Sequence, residues 1–557
     1  MEVNIRISGS AGQGMATAQD ILGIACARSG LYAYSVNDVE SRIRGGNNFS
    51  QVKVSENPVS AVDSYVDILC ALSEPTLTEY TEFLCENGIV IAGFSGTKTA
   101  VFNPDEMAAK HKMPKASGTA AVAYTCGLLG INRDVLISSM TSVFPEKIRE
   151  INLIIGLESF DAAVLSGNTT FQVKPANQTK KLWISGNAML SLGAVAGNVS
   201  FMSAYPMSPA TSIMTNLSQW SSETGIIVEQ AEDEISAINM VAGAAYTGAR
   251  SMTASSGGGF ALMVEGVSLL GMIETPAVIV IAQRPGPATG LPTRTMQGDL
   301  RMAIHAGHGY FPKVVLAPCG VEDAYETTRN AFDIAEEFQV PVIVLTDQHL
   351  QDSYKVIEDF EPEISSKRYI LTAEDLEKIS DYKRFALTEN GISPMACPGH
   401  SKHLVIVDSD EHDEYGHLTE KPDIAAAMVE KREKHMQTVM ANAIAPVFDG
   451  EDSDAPLVMT WGSTTGVVKE AVAKLRSAGI NVNMLVFKWL WPLAPEMFVK
   501  YMETARKTII VENSVSGELE SVIREIALKT VDSTIRKVTG RPFNTDELVR
   551  SLESEVK

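Results

Sequence analysis

Uninterrupted apolar runs recur along the middle of the chain, and each ends in polar or turn-forming residues. The clearest are "SFMSAYP", "PAVIVIAQR", "KVVLAPCG" and "VPVIVLTDQ". Strands buried on both faces of a parallel sheet show this pattern, and the loops at the carboxyl ends of such strands carry the functional residues. We therefore predict a doubly wound α/β domain over residues 182–350.

The amino-terminal part alternates short strands with helices. "VNIRISG" predicts a strand, "SAGQG" a glycine turn, and "MATAQDILGIACARSG" a helix that ends at Gly30. Further strands are predicted in "QVKVS", "VDILCAL" and "GIVIAGF". This order is typical of an α/β domain. We assign it to residues 1–175, followed by a polar linker in "TFQVKPANQTKK".

Residues 351–452 differ from both parts, because they are rich in charged residues, proline and glycine. We interpret them as a linker or insert that contains one helix, "DIAAAMVEKREKHMQTVM". Residues 453–557 return to the α/β pattern, with strands in "PLVMTWGS", "INVNMLVF" and "KTIIVEN" and a capped helix in "NTDELVRSLESEVK". The predicted fold class is therefore α/β with several doubly wound domains, which a length of 557 residues also favours.

Composition and charge narrow the function. No run of about 18 apolar residues occurs, so we expect no membrane span. The first residues, "MEVNIRISGSAGQG", lack the segments of a secretory signal, so we expect a cytoplasmic protein. The net charge of −22 argues against nucleic acid as a partner. None of the six cysteines stands in a CxxC pair, so we expect no iron–sulfur cluster held by this chain alone.

An acidic start to an apolar helix is the first sign of chemistry. In "EDEISAINMVAGAAY", residues 232–246, helical steps from Glu234 lead to Ile238, Val241 and Ala245. Glu234 thus heads the face that the helix buries, although a lone buried carboxylate is costly. A glutamate at a helix start is also a common solvated cap, and the pattern alone leaves both interpretations open.

Three segments around this helix add hydroxyl groups and a guanidinium. "AYPMSPAT" puts Ser208 at a corner between strand and helix, and "ASSGGGFALM" supplies a glycine turn that permits close approach. "AQRPGPATGLPT" places Arg284 at the end of a strand and Thr293 in the loop after it. Arginine binds carboxylates through two parallel hydrogen bonds, so the set suits a carboxylate ligand. Each signal alone also fits a plain turn or a surface ion pair.

Together these segments resemble the α subunit of the 2-oxoacid:ferredoxin oxidoreductases. The stretch "YPMSPAT … VEQAEDEISAINM … TASSGGGFALM … QRPGPATGLPT" is similar to the pyrimidine-binding domain for thiamine diphosphate. "ISGSAGQGM" and "VESRIRGGNNFSQVKVS" look like the γ domain that 2-oxoglutarate-type enzymes fuse ahead of α. "RFALTENGISP" and "IVDSDEHDEYGH" are similar to the family's linker, and "LVMTWGSTTGVVKEAV" and "VFKWLWPL" to its transketolase-C-like domain.

The resemblance implies thiamine diphosphate chemistry. Glu234 stands where the family's glutamate touches N1′ of the aminopyrimidine. Arg284 matches the arginine that holds the substrate carboxylate. The remaining positions are the substrate-contacting Ser208 and Thr293 and the cofactor-binding Tyr205, Pro206, Ser256 and Gly257. The chain departs from the family's loops where Ser208 replaces a threonine, Pro285 a glycine and Ala288 a serine.

The amino-terminal glycine turn has the spacing Gly9, Gly12, Gly14, which differs from the dinucleotide motif GxGxxG. A plain turn, a dinucleotide site and, by resemblance, a surface that faces coenzyme A stay open here. For the last, the candidates are Arg42, Arg44, Gly45, Gly46 and Asn47. "DSDEHDEYGH" holds His412 and His417, for which we favour a solvated acidic loop over a metal site and assign no metal ligand.

The chain lacks the GDG…NN pattern that holds Mg²⁺ and diphosphate in thiamine enzymes. We therefore expect half an active site, which a β subunit with the diphosphate site, Mg²⁺ and a [4Fe–4S] cluster completes in an (αβ)₂ complex. The expected reaction converts 2-oxoglutarate, coenzyme A and oxidised ferredoxin into acyl-CoA, CO₂ and reduced ferredoxin, or the reverse. The alternatives are a pyruvate or branched-chain 2-oxoacid enzyme and a non-catalytic assembly or regulatory subunit. Arg294 either meets a distal carboxylate or faces water.

Overall fold

A strand, a helix and a strand open the amino-terminal third, as the pattern predicts, but in the described residues three strands and later four α-helices then follow one another without alternation. The computed structural model describes residues 1–40, 45–94, 96, 99–175, 177, 179–451 and 454–557. The first strands are β1 (Glu2–Ala11), β2 (Tyr32–Asp38), β3 (Gly45–Ser55), β4 (Val66–Ala71), β5 (Leu84–Ala92), β6 (Ala100–Phe102) and β7 (Lys181–Ser185). The helices among them are α1 (Met15–Arg28), α2 (Glu74–Tyr80), α3 (Pro104–Lys110), α4 (Ser117–Leu128), α5 (Arg133–Val143) and α6 (Glu146–Leu165). The helix predicted before Gly30 is confirmed as α1, and Gly30 leaves it with a φ of 76°.

The middle of the chain contains the predicted apolar strands. Its strands are β8 (Phe201–Ala204), β9 (Ile227–Gln230), β10 (Ser251–Ser255), β11 (Ala277–Gln283), β12 (Val314–Leu316), β13 (Pro341–Asp347) and β14 (Tyr354–Glu358). Its helices are α7 (Gly186–Ala196), α8 (Thr211–Thr224), α9 (Glu234–Tyr246), α10 (Gly257–Met272), α11 (Leu300–His305), α12 (Val321–Phe338) and α13 (Gln348–Asp352). Every residue of β11, β12 and β13 is buried, so the apolar runs mark a sheet covered on both faces.

The rest of the chain begins with largely irregular structure and ends in a third α/β unit. The helices are α14 (Ala373–Glu377), α15 (Pro422–Ala441), α16 (Thr464–Ser477), α17 (Val499–Thr504), α18 (Glu518–Ala527) and α19 (Thr545–Val556). The strands are β15 (Val447–Asp449), β16 (Leu457–Trp461), β17 (Asn483–Phe487), β18 (Trp489–Trp491), β19 (Thr508–Glu512) and β20 (Ser533–Arg536). The predicted cap of the last helix is confirmed, because Asn544 and Glu547 form a reciprocal capping box.

The first sheet is mixed rather than purely parallel. Its order is β6-β5-β4-β1-β3-β2-β14-β7. Strands β1, β4, β5 and β6 run parallel, whereas β3 is antiparallel to both β1 and β2. Strands β7 and β14 come from beyond residue 175 and extend this sheet on one side. The sheet boundaries therefore do not coincide with domain boundaries drawn at residues 175 and 350.

The second sheet positions the candidate site. Its order is β18-β12-β13-β11-β10-β8-β9, and all of its strands run parallel except β18. The carboxyl ends of β8, β10 and β11 therefore meet at one edge. The segments that begin with Tyr205, Ser256 and Arg284 follow these strand ends directly. Glu234 follows the carboxyl end of the neighbouring strand β9.

The third sheet interlocks with the second through β18, which leaves the third unit to pair antiparallel with β12. The remaining strands form the order β15-β17-β16-β19-β20, parallel except for β15. The segment before this unit is anchored on the turn between α10 and β11 by a buried ion pair between Lys431 and Glu274. No helix in the described part of the chain is both long and apolar enough to cross a membrane.

Candidate functional site

Glu234 occupies the first position of α9 and is 3% exposed. The helix begins there because the Asp233 carboxylate accepts a hydrogen bond from the Ser236 backbone N–H over 2.7 Å. Ile238, Val241 and Ala245 are buried on the same face, so the predicted stripe is confirmed. The neighbouring Glu232 is exposed. The structure thus buries Glu234 and leaves the residue two positions before it in solvent.

The Glu234 carboxylate lies against the first turn of α10. Ser255 Oγ donates to Glu234 Oε1 over a long 3.4 Å, so this bond uses little of the capacity of a carboxylate to accept hydrogen bonds. A Cβ atom built on Gly259 would come within 2.5 Å of Glu234 Oε1. The predicted glycine turn is therefore the start of a helix, and its glycine admits a buried carboxylate. A ring N–H aimed at Glu234 would find an acceptor there.

The corner after β8 contacts the start of α10 through the side chain of a methionine. Ser256 Oγ donates to Met207 Sδ over 2.7 Å, and Tyr205 and Ser208 are exposed. The Ser208 carbonyl, rather than its hydroxyl, accepts a hydrogen bond from Arg284 Nη1 over 2.6 Å. The structure thus brings Ser208 and Arg284 together. The contact of Met207 was not predicted from the sequence, since methionine is an ordinary packing residue.

Arg284 begins the loop after β11 and is partly buried. Burial lowers the pKa of its guanidinium, and the charge of Asp299 opposes that shift. Asp299 ends the same loop. Burial raises the pKa of its carboxyl to about 6, the charge of Glu518 adds to the shift, and Arg284 opposes it. Asp299 was not predicted from the sequence, because an acid just before a helix is an unremarkable cap.

Thr293 is held by the residues that follow it in the chain. Arg294 Nη1 donates to Asp38 Oδ1 over 2.6 Å, and Arg541 Nε donates to Asp38 Oδ2 over 2.7 Å. The Thr295 N–H donates to the Gly540 carbonyl over 3.0 Å. Arg294 therefore meets a carboxylate of the protein itself. No local pattern joins Asp38, Arg294 and Arg541, which lie in three distant parts of the chain.

Three of the five amino-terminal candidates belong to the described residues. Arg42 and Arg44 lie outside the described residues. Gly45 and Gly46 adopt φ values of 71° and 74° at the start of β3. Asn47 is engaged within the first unit, because its side-chain amide donates to Glu79 Oε2 over 2.6 Å and its backbone N–H to Glu40 Oε2 over 2.8 Å.

A cavity of about 620 Å³ opens next to these residues, between the first sheet and helix α7. Its lining includes Met15, Asn48, Phe49, Trp183 and Asn187. Neither Gly45, Gly46 nor Asn47 belongs to that lining. Of the predicted segment from Arg42 to Asn48, Asn48 lies at the cavity, and the contact of the segment with coenzyme A stays a prediction.

The acidic histidine loop differs from the prediction in one respect. His417 is exposed, but His412 is buried against the Phe385 ring, with ring centres 3.9 Å apart. Burial lowers the pKa of His412. Across the described ranges, no group of three or more histidine, cysteine, aspartate or glutamate side chains is arranged to hold a metal ion. His412 is thus a packed residue rather than a solvated one.

Comparison with known proteins finds relatives that match the whole chain. Three family models match: the thiamine-diphosphate-binding domain of pyruvate flavodoxin/ferredoxin oxidoreductase over residues 192–431, pyruvate ferredoxin/flavodoxin oxidoreductase over 4–163, and core domain II of pyruvate:ferredoxin oxidoreductase over 455–548. The α subunit of a Sulfolobus 2-oxoacid:ferredoxin oxidoreductase is 31% identical over 100% of this chain and 97% of its own length. The chain belongs to the α subunits of the 2-oxoacid:ferredoxin oxidoreductases.

Two further members of this oxidoreductase family are similar to the chain. The KorA subunit of 2-oxoglutarate synthase from Methanothermobacter marburgensis is 30% identical over 67% of this chain and 99% of its own length. The 2-oxoglutarate:ferredoxin oxidoreductase from Magnetococcus marinus, solved with 2-oxoglutarate, coenzyme A and succinyl-CoA bound, is 30% identical over 100% of both chains, with a TM-score of 0.92. The α/β fold class predicted from the sequence is confirmed.

The family model for thiamine diphosphate binding spans the whole strand edge described above. Tyr205, Glu234, Ser256 and Arg284 all lie inside residues 192–431. The α subunit therefore carries a thiamine-diphosphate-binding domain, and the buried carboxylate of Glu234 lies in that domain.

Proposed function

We propose that this chain is the γ-fused α subunit of a 2-oxoglutarate:ferredoxin oxidoreductase. The complex converts 2-oxoglutarate, coenzyme A and oxidised ferredoxin into succinyl-CoA, CO₂ and reduced ferredoxin, or runs the reverse reaction. One observation carries the proposal. Glu234 is a carboxylate at 3% exposure whose bond to Ser255 is long, and it lies in the thiamine-diphosphate-binding domain.

The residues around Glu234 fit thiamine diphosphate. When bound, this cofactor supplies the nucleophilic carbon that attacks the keto group of the 2-oxoacid. Glu234 shares a proton with N1′ of the aminopyrimidine, and the dry surroundings strengthen that charge-assisted hydrogen bond. Gly259 leaves room for the carboxylate, since a side chain there would displace it. Tyr205, Pro206, Ser256 and Gly257 border the same edge and would hold the cofactor.

Arg284 holds the carboxylate of the 2-oxoacid. A guanidinium carries five N–H donors, and one of them is used by the Ser208 carbonyl. This bond fixes the orientation of Arg284 and leaves donors for a substrate carboxylate in the paired geometry that arginine favours. The hydroxyl of Ser208, in the corner after β8, and that of Thr293, in the loop that begins with Arg284, would contact the substrate.

A surplus of positive charge beside Thr293 supports a substrate with a second carboxylate. Arg294 and Arg541 share the single carboxylate of Asp38, so the group carries a net charge of about +1. The relative from Magnetococcus marinus was solved with 2-oxoglutarate. Pyruvate is the competing substrate, because the three matching family models carry its name.

The complex needs a second subunit. Large apolar side chains that are 39% to 51% exposed occur on α9, on α10 and in the segments that follow β8 and β11: Tyr205, Ile235, Met240, Leu262 and Leu291. We assign this surface to a β subunit that supplies the diphosphate site, Mg²⁺ and a [4Fe–4S] cluster in a cytoplasmic (αβ)₂ complex. Coenzyme A enters through the first unit, and the cavity of about 620 Å³ beside Asn48 and Phe49 supports this route. The predicted division into residues 1–175, 182–350, 351–452 and 453–557 is part of the proposal.

The test uses the purified complex of this chain with its β subunit, coenzyme A and a viologen dye as electron acceptor. Glu234→Gln is expected to lower kcat on the order of a hundred- to ten-thousandfold, because it removes the proton-sharing carboxylate. Glu232→Gln is the matched control, since Glu232 lies in solvent two residues earlier. Normal turnover by Glu234→Gln would contradict the role of Glu234.

The same assay with several 2-oxoacids tests the substrate. We expect the highest kcat/KM for 2-oxoglutarate and lower values for pyruvate and branched-chain 2-oxoacids. Equal or better use of pyruvate overturns the assignment of 2-oxoglutarate. A complex that assembles but turns over no 2-oxoacid would instead be an assembly or regulatory complex.

A further inference from the structure

The loop that begins with Arg284 returns to its starting point at Asp299. The Asp299 backbone N–H donates to Gln283 Oε1 over 3.0 Å, and Gln283 is the last residue of β11. Gln283 is itself buried and donates through Nε2 to the Thr346 carbonyl over 3.2 Å. Both ends of the loop, Arg284 and Asp299, therefore lie at the carboxyl end of β11. Their charges interact, as the opposing effect of each on the pKa of the other indicates.

The Asp299 carboxylate packs on the first residue of α10. A Cβ atom built on Gly257 would come within 2.3 Å of Asp299 Oδ2 and 2.7 Å of Asp299 Oδ1. Two residues later, Gly259 makes room for Glu234 in the same way. One helix start thus has a carboxylate on each side. Asp299 Oδ2 is buried and has no hydrogen-bond partner among the described residues.

The charged groups that face Asp299 come from the elements packed around it. Arg284 approaches from β11, and Glu518 approaches from α18 in the third unit. Glu518 is 2% exposed and accepts the Arg301 backbone N–H over 3.0 Å, while Arg301 Nε is 3.8 Å from Glu518 Oε1. The Glu234 carboxylate lies at the other side of the α10 start. Asp299 thus lies near one cation, Arg284, and one buried anion, Glu518.

We propose that Asp299 is a positioning residue for the 2-oxoacid. Asp299 must carry a proton before the substrate carboxylate binds to Arg284. An ionised Asp299 attracts the guanidinium and repels the incoming carboxylate. A protonated Asp299 is neutral, and its unpartnered Oδ2 offers a hydrogen-bond position instead. This inference rests on the proposed function.

Proton balance follows from this arrangement. Burial raises the pKa of Asp299 to about 6, so above that pH the site takes one proton from solvent when the 2-oxoacid binds and returns it when the product leaves. Below that pH the proton is already in place. The KM for the 2-oxoacid should therefore be flat below about pH 6 and rise by up to about tenfold per pH unit above it.

The test is the pH dependence of KM and kcat from about pH 5 to about pH 8 for the αβ complex and two variants. Asp299→Asn mimics the protonated form, so its KM should lose the rise at alkaline pH. Glu518→Gln removes the charge that helps to raise the pKa of Asp299, so the rise should begin at a lower pH. A rise that persists in Asp299→Asn, or an onset that does not move in Glu518→Gln, overturns the proposal.

A second measurement does not depend on turnover. Infrared difference spectra of the wild-type complex against Asp299→Asn should contain the C=O band of one protonated carboxyl at acidic pH, and the band should fade above about pH 6. A wild-type complex without that band overturns the proposal even if Asp299→Asn assembles poorly. If the wild-type complex turns over no 2-oxoacid, the proposed function fails, and the infrared titration still decides the ionisation of Asp299.

Discussion

Buried carboxylates distinguish this chain at the scale of single residues. Glu234, Glu512 and Glu518 are each at most 3% exposed. Such groups are costly unless hydrogen bonds or opposite charges compensate them, so each one needs an explanation. For Glu518 the compensation is visible, since Ser516 Oγ and the Arg301 N–H donate to it. Glu234 keeps unused capacity instead, which is what a cofactor-binding carboxylate requires.

Glu512 is the case without a role at the site. Its Oε2 accepts the Trp461 Nε1–H and the Leu519 N–H, both over 3.1 Å. Its Oε1 is buried without a partner among the described residues. Burial raises the pKa of Glu512 to about 7, and the charge of Glu518 adds to the shift. At neutral pH this carboxyl therefore carries a proton in a substantial share of molecules.

Replacement of Glu512 by glutamine tests this point through stability. The unfolded carboxyl loses its proton near 4.5 and the folded one near 7, so the folded state binds more protons between these values. The free energy of unfolding then falls as pH rises through that window, by about 3 kcal/mol in total. Glu512→Gln should match the wild type in thermal midpoint near pH 4 and exceed it near pH 8. Equal midpoints at both pH values would contradict the buried proton.

The sequence predicts some of these residues and misses others for a physical reason. Glu234 is predicted because it heads a helical stripe whose periodicity is local. Arg284 is predicted because it directly follows a strand that an apolar run in the sequence indicates. Asp299 and Asp38 are missed because their roles depend on residues far away in the sequence. Asp299 packs on Gly257, and Asp38 pairs with Arg541, and no local sequence pattern indicates either contact.

At the scale of elements, the start of α10 is where two carboxylates approach one backbone. The sequence predicts close approach at its glycines but not what approaches. The three consecutive glycines are not equivalent. A Cβ atom on Gly257 would meet Asp299, one on Gly259 would meet Ser255 Oγ at 2.1 Å and Glu234 Oε1 at 2.5 Å, and one on Gly258 would meet nothing nearer than 3.8 Å.

This contrast gives a matched pair of variants. Gly259→Ala is expected to push the Glu234 carboxylate from its place and lower kcat/KM on the order of a hundredfold, since small displacements at a site have effects of this size. Gly258→Ala adds the same methyl group in open contact and should keep or raise the thermal midpoint, because alanine favours a helix by up to about 1 kcal/mol over glycine. Equal losses of kcat/KM in the two variants would show that the position of Glu234 is not what matters.

At the scale of the whole molecule, the three units are joined in ways that local patterns do not indicate. The strands and helices inside each unit follow from apolar runs and caps, and most of them are predicted. The entry of β7 and β14 into the first sheet and of β18 into the second is not. Such pairings depend on contacts between residues far apart in sequence, and a strand of three residues such as β18 carries too short a pattern to show its partner.

A buried lysine lies at the junction between the first and third units. Lys53 is fully buried, and its Nζ lies 2.9 Å from Glu2 Oε2, 3.1 Å from Asp63 Oδ2 and 3.0 Å from Glu470 Oε2. Burial lowers the pKa of Lys53, but the charges of Glu470, Asp63 and Glu2 outweigh it and leave the pKa raised. Glu470 also accepts the Ala61 N–H over 2.8 Å, so the cluster binds a loop of the first unit to α16 of the third.

Lys53→Met should therefore loosen the first unit from the third. It leaves the buried Asp63 with a weaker counter-charge, and removal of one partner from a buried ion pair costs about 3–5 kcal/mol. We expect an earlier first transition in the thermal unfolding of the complex. Lys474→Met is the control, because Lys474 pairs with the same Asp63 but is 40% exposed and should cost about 1 kcal/mol or less. Adding Glu470→Gln to Lys53→Met should recover part of the loss, since it removes an unpaired charge. A double variant that is less stable than Lys53→Met would show that the junction is held by packing rather than by this cluster of charges.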